Sequence, residues 1–78
     1  MNYYEALKIG IITAHDKNGN LKHSYSMQKG KVLNHINGVG VTTIDYTEAE
    51  FNAMIKELLN EYYTIAIIIG KNITYKGE

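Results

Sequence analysis

A chain of 78 residues without cysteine suffices for one small domain, residues 1–78, and excludes a scaffold held by disulfides or by thiolate-bound metal. Eight lysines balance eight acidic residues and there is no arginine, which argues against nucleic-acid binding because arginine makes the best bidentate contacts to phosphate and guanine. No apolar run is long enough to span a membrane and the N-terminus lacks a signal-peptide pattern, so we expect a soluble, cytoplasmic protein with no membrane partner.

The N-terminal half predicts two β-hairpins. Residues 7–14 and 21–28 read as strands around a turn at residues 16–19, in which an aspartate opens and a glycine closes the reversal. If Asp16 pairs with Asn20, Ile11 lies opposite Tyr25 on the core face of this pair. Ile12 then points to the reverse face.

The second hairpin is predicted around Asn37-Gly38, the dipeptide that most readily adopts a type I′ turn. Its strands are residues 31–36 and 39–44. Pairing Ile36 with Val39 turns Val32 toward the core and places three other side chains on the reverse face: Leu33, His35 and Ile44.

The stretch from residue 45 to residue 70 predicts a capped amphipathic helix followed by a buried strand. Thr47 and Glu50 have the spacing of a capping box, and Tyr46 and Phe51 that of a hydrophobic staple. One helical side is apolar through Phe51, Met54, Ile55, Leu58, Leu59 and Tyr62. The isoleucine-rich strand at 63–69 is apolar on both faces, which is typical of the middle of a sheet, and a short edge strand follows at 73–76.

These elements predict an α+β fold, a mostly antiparallel meander sheet of five to six strands packed on one α-helix in the order β-β-β-β-α-β-β. A single helix covers one face of such a sheet, so the reverse face should stay open and bind a partner, unless strong coiling closes the sheet into a half-barrel. The candidate partner-binding residues combine this face with exposed tyrosines: Ile12, Leu33, His35, Ile44, Tyr3, Tyr4 and Tyr75.

No residue pattern in the chain indicates catalysis or metal binding. Ser24 and Ser26 fall in a regular strand without a strained nucleophile turn. The spacing of the three histidines, His15, His23 and His35, fits no compact ligand set. We therefore expect no enzymatic activity, no cofactor and no metal site.

In its size, its composition and its lack of chemical motifs, the chain resembles the small accessory proteins of phages and mobile elements, including inhibitors of host defence such as anti-CRISPRs. The resemblance implies a non-enzymatic module that inhibits or modulates a larger host protein, and it assigns no residue a role. The partner would be another protein or a second copy in a homodimer. The alternative is a small nucleic-acid or phosphate-ligand module, in which Tyr3 or Tyr25 stacks on a base beside the lysines of the N-terminal meander: Lys8, Lys22, Lys29 and Lys31.

Overall fold

A computed structural model describes residues 2–61 and 63–77 of the chain. In chain order its elements are α1 (Tyr3–Leu7), β1 (Ile11–His15), β2 (Leu21–Gln28), β3 (Lys31–Ile36), β4 (Gly40–Ile44), α2 (Glu48–Asn60), β5 (Thr64–Ile69) and β6 (Asn72–Lys76).

The six strands form one antiparallel sheet in the spatial order β4-β3-β2-β1-β5-β6. The two helices contact each other and lie on the same side of the sheet. The α+β class and the antiparallel sheet predicted from the sequence are therefore confirmed. β5 lies inside the sheet and β6 at its edge, as predicted, while β4 forms the other edge.

Helix α2 begins as its sequence predicts. The Thr47 hydroxyl accepts from the Glu50 amide at 3.1 Å, and the Glu50 carboxylate accepts from the Thr47 amide at 2.9 Å, which completes the capping box. The Tyr46 and Phe51 rings lie 5.6 Å apart, as a hydrophobic staple requires. Tyr62, predicted on the apolar side of this helix, lies outside the described residues.

The core lies between the helices and the sheet, with Phe51 at its centre. Its ring meets Tyr4, Tyr25 and Tyr46 edge-on, with ring centroids 5.6 to 6.0 Å apart. Isoleucines and leucines from both helices and the central strands fill the space around this aromatic cluster: Leu7, Ile12, Ile55, Ile65 and Ile67.

The first hairpin departs from the predicted register because β2 carries a bulge. The turn closes as expected, with the Asp16 amide bonded to the Asn20 carbonyl at 2.9 Å, and His15 pairs with Leu21. The next pair is Ala14 with His23, so Lys22 is an extra residue on β2. One extra residue reverses every later assignment on β1, which makes the predicted orientation of Ile12 wrong: Ile12 faces the helices and is fully buried.

The second hairpin also differs by one residue, because its loop has three residues. Gly38 has a φ of 81°, whereas Asn37 is not in the left-handed region, so the type I′ turn predicted here is wrong. Ile36 pairs with Gly40, which turns Ile44 toward the helices. The two-residue turn with two positive φ angles is instead Lys29-Gly30, at 53° and 77°.

The sequence does not predict helix α1, and the strand that it predicts from residue 7 overlaps the end of this helix. Asn2 caps it by accepting from the Glu5 amide at 3.1 Å. Asn52 on α2 holds the helix in place, since its side chain accepts from the Tyr4 amide at 2.9 Å and donates to Asn2 at 3.0 Å. These bonds account for the position of Tyr3 and Leu7 in the core.

Neither helix within the described residues has both the length and the apolar run needed to cross a bilayer.

Candidate binding surface

The candidate site is the far face, which we define as the side of the sheet opposite α1 and α2. Strand pairing joins Ile11 to Ile68 and Ile68 to Ile73, so three isoleucines from β1, β5 and β6 form a continuous isoleucine row. The adjacent row on the same strands consists of Thr13, Ala66 and Tyr75. This half of the far face is therefore mostly apolar.

The apolar side chains of this half are exposed toward the sheet edge. Ile11 keeps 38% of its surface accessible, Ile73 52% and Tyr75 66%. Both helices lie on the other side of the sheet, and no element among residues 2–61 and 63–77 covers the isoleucine row. Contiguous exposed apolar surface is the feature by which association sites are recognised, so this half of the far face is the candidate site.

The other half of the far face, on β2, β3 and β4, is more polar. Ser24 pairs with His35, and Ser26 pairs with Leu33, so hydroxyl groups lie beside each of the larger side chains. Val41, opposite His35 on the edge strand, is its most exposed apolar residue. The far face thus grades from apolar at β6 to polar at β3, with Val41 as an isolated apolar residue at the β4 edge.

The charges of the molecule are distributed unequally between its two sides. None of the six strands contains an aspartate or a glutamate, whereas three lysines lie on them. Five acidic residues belong to the helices or to the end of α2: Glu5, Glu48, Glu50, Glu57 and Glu61. The side of the molecule that carries the helices is acidic, and the sheet is not.

Of the seven candidate partner-binding residues, three lie on the far face: Leu33, which is half-buried, and His35 and Tyr75, which are exposed. Ile12 and Ile44 face the helices for the reasons of register given above. Tyr3 is 6% exposed because α1 turns it into the core. Tyr4 is half-buried against Phe51. The placement of these four residues on an open surface was wrong.

The isoleucine row was missed because its orientation depends on the bulge. The sequence predicts Ile11 on the core face in place of Ile12, and for Ile68 it predicts only a strand that is buried on both faces. A sequence signal for Ile73 and Tyr75 was present, since alternation along residues 72–76 puts both on one face. Assigning that face required the register of β5, which the sequence does not specify.

An open pocket of about 360 Å³ lies at one end of the far face, lined by His15, Asp16, Lys17, Gly19, Thr64 and Tyr75. The Asp16 carboxylate accepts from the amides of Asn18 and Asn20, both at 2.9 Å, and the bond from Asn20 is the main reason that its pKa lies below the usual value. His15 Nε2 lies 2.9 Å from the Thr13 hydroxyl. Asp16 therefore stabilises the β1–β2 turn, and His15 bonds within its own strand.

Two further titratable side chains, His23 and Tyr25, pack together on the helix side of the sheet. His23 Nδ1 lies 3.2 Å from the buried Asn34 side-chain oxygen, and the His23 ring stacks on Tyr25 at 5.7 Å. Burial raises the pKa of the Tyr25 phenol, whose hydroxyl contacts the Met54 sulfur. Across the part of the chain that the structure describes, no three histidine or acidic side chains are grouped closely enough to hold a metal ion.

The tyrosines required by the nucleic-acid alternative are not accessible. Tyr3 and Tyr25 are both buried, so neither can stack on a base. Two of the four lysines have acidic neighbours: Lys8 lies 2.9 Å from Glu5, and Lys22 lies 3.8 Å from Asp16. The N-terminal meander therefore presents no exposed combination of aromatic and basic groups from this set.

Comparison with protein-family models, with curated proteins and with solved structures finds no match to this chain.

Proposed function

We propose that this protein is a non-enzymatic module that binds a larger protein through the apolar half of the far face. The observation that carries the proposal is the isoleucine row with Tyr75, an apolar strip across three strands that the described parts of the protein leave uncovered. Binding would remove this strip from water, at a gain of about 25 cal/mol per Å² of apolar area.

The charges of the sheet indicate the chemistry of the partner. The strands carry no carboxylate, and His15 lies on the far face near the strip, while one acidic and one basic side chain, Asp16 and Lys17, line the pocket next to Tyr75. A complementary surface would be apolar at its centre and close to neutral at its rim, because like charges across an interface oppose association. The acidic helices would remain in solvent.

The mode of action that fits this surface is occlusion. The sites described above have no catalytic grouping, so the module would act by covering a functional surface of its partner or by holding the partner in one conformation. In size and composition the chain resembles the small accessory proteins of phages and mobile elements, including anti-CRISPRs, and inhibition of a host defence protein is the role that we propose for it.

The test compares two single substitutions in an assay of partner binding. Ile11→Glu places a charge in the isoleucine row, whereas Val39→Glu places the same charge at the β3–β4 loop, where Val39 is 80% exposed. Partners captured from the native cell by the tagged wild-type protein are identified and purified, and their affinity for each variant is measured by calorimetry. We expect Ile11→Glu to weaken binding at least about 50-fold, because a buried unpaired charge costs several kcal/mol, and Val39→Glu to leave it unchanged.

Two results would refute the proposal. One is a partner that binds wild type and Ile11→Glu with equal affinity, since the contact then lies elsewhere on the molecule. The other is an affinity that falls steeply with salt, which is the behaviour of a polyanion ligand and would favour the nucleic-acid alternative. A negative heat-capacity change on binding would support burial of the apolar strip.

A further inference from the structure

The edge strand β6 is exposed on both faces and along its outer edge. All five of its residues are exposed, including the large apolar side chains of Ile73 and Tyr75. Its pairing with β5 is its only strand pairing among the residues that the structure describes. It contains neither proline nor a bulge, two of the devices that keep edge strands from pairing with other chains.

The hairpin turn determines which backbone groups of β6 are free. Gly70-Lys71 is a two-residue turn between the paired residues Ile69 and Asn72, so this pair is hydrogen-bonded. Hydrogen-bonded and non-hydrogen-bonded pairs alternate along antiparallel strands, so Thr74 also bonds to β5. The N–H and C=O groups of Ile73 and Tyr75 therefore point outward, away from the sheet.

We propose that β6 pairs with β6 of a second copy of this chain, antiparallel and across a twofold axis at Thr74. In this register Ile73 of each copy faces Tyr75 of the other, and all four outward backbone groups of each strand are paired. A twofold axis at Ile73 or at Tyr75 leaves part of these groups without a strand partner. The two sheets then join into one sheet of twelve strands with a continuous far face.

The side chains of β6 fit this register on both faces. On the far face, isoleucine and tyrosine form two symmetric cross-strand pairs, a combination that favours antiparallel pairing. On the helix side, Thr74 meets Thr74 of the second copy, and Lys76 lies opposite Asn72. No lysine faces a lysine, so the positive charge of the strand does not oppose the contact.

The other edge strand, β4, fits a self-pairing less well. It starts at Gly40, whose φ of 144° is not a strand conformation for other residues, and Val41 is its only large apolar side chain on the far face. A dimer through β4 is the alternative that the experiment distinguishes.

The test uses the absence of cysteine from the wild-type chain. Directly opposite residues in a non-hydrogen-bonded antiparallel pair have Cα atoms about 4.5 Å apart, which lies within the range that a disulfide spans. Thr74→Cys should therefore form a covalent dimer under mild oxidation, at least about ten times faster than the matched variant Thr42→Cys. Thr42 is likewise exposed, at the middle of β4 and on the same side of the sheet. Equal rates, or faster cross-linking of Thr42→Cys, would overturn the proposal.

A second measurement does not depend on disulfide chemistry. Thr74→Lys places two ammonium groups opposite each other at the twofold axis. Light scattering over a concentration series should give a dimer dissociation constant at least about fivefold higher for Thr74→Lys than for wild type or Thr42→Lys. Wild type that is monomeric throughout the series, or dimerisation unchanged by Thr74→Lys, would overturn the proposal.

The dimer and the proposed partner binding can fail separately. Ile11→Glu lies on β1, away from the β6 edge, and should leave the dimer intact while it abolishes partner binding. Dissociation of the dimer by Ile11→Glu but not by Thr74→Lys would mean that two copies meet face to face, and would overturn pairing at the edge.

Discussion

The sharpest prediction concerns the two neighbouring isoleucines that the bulge in β2 assigns to opposite faces. Ile12 is fully buried among both helices and the sheet, so Ile12→Ala removes buried methyl groups and leaves a cavity, at a cost of about 3 to 4 kcal/mol. Ile11 lies on the open far face, where water can fill the vacated space, and Ile11→Ala should cost about 1 kcal/mol. Without the bulge the two costs would be exchanged.

Urea unfolding followed by tyrosine fluorescence provides the assay, because the chain has seven tyrosines and no tryptophan. A slope of about 1 kcal/mol per molar urea converts these costs into midpoint shifts of about 3 to 4 M for Ile12→Ala and about 1 M for Ile11→Ala. Ile12→Val, at about 1 kcal/mol, should keep the domain folded and serves as the milder variant. A loss of stability for Ile11→Ala equal to or larger than that for Ile12→Ala would refute the register and, with it, the far face.

Four further outcomes test local features of the fold by thermal or urea unfolding. Lys29→Gly should stabilise the protein by about 0.5 to 1 kcal/mol, since Lys29 has a φ of 53° in its turn. Gly10→Ala should destabilise it by about 1 to 3 kcal/mol, because the new Cβ would clash with the Ile68 carbonyl oxygen. Thr47→Ala should cost about 1 kcal/mol through loss of the α2 cap. Hydrogen bonds with Thr47 lower the pKa of the Glu50 carboxyl in the folded state. The ionised carboxylate therefore contributes to the free energy of unfolding above the ordinary carboxyl pKa, and this contribution is lost as the pH falls through the folded-state pKa. Glu50→Gln should remove this pH dependence.

Helix α2 and strand β5 could be predicted from the sequence because their signals are local. The capping box needs only Thr47 and Glu50, and the staple only Tyr46 and Phe51. The apolar positions that follow recur every three to four residues, which is the period of one helical face. The β5–β6 hairpin also has a local signal, since Gly70 permits the tight reversal that pairs the two strands.

The sequence did not predict which face each side chain of the N-terminal strands occupies, because one extra residue in each hairpin determines the register. Lys22 as a bulge and Val39 as a loop residue each shift a register by one position, and a shift by one exchanges the two faces. Nothing in the local sequence distinguishes a bulged from a regular strand here. The exchange places Ile12 in the core, turns Ile44 toward the helices, and puts Ile11 and Val41 on the far face.

Helix α1 was missed for a different reason. Five residues are too few to form a helix from their own propensity, and α1 depends on hydrogen bonds to Asn52, which is about fifty positions away in the chain. Its burial of Tyr3 could be known only from the packed structure.

The hydrogen bonds that Asn52 forms with Asn2 and Tyr4 also affect the order of folding. The strands from β1 to β4 are joined by short turns and can pair with their neighbours in sequence. Helix α1, in contrast, can dock only after α2 has formed, because Asn52 on α2 holds it. Strand β5 likewise follows α2 in the chain and pairs with the distant β1. Closing a loop of about 50 residues costs roughly 3 to 4 kcal/mol of chain entropy before any contact compensates for it. We therefore expect the rate-limiting step to be the docking of α2 and β5, with α1 among the last elements to become ordered.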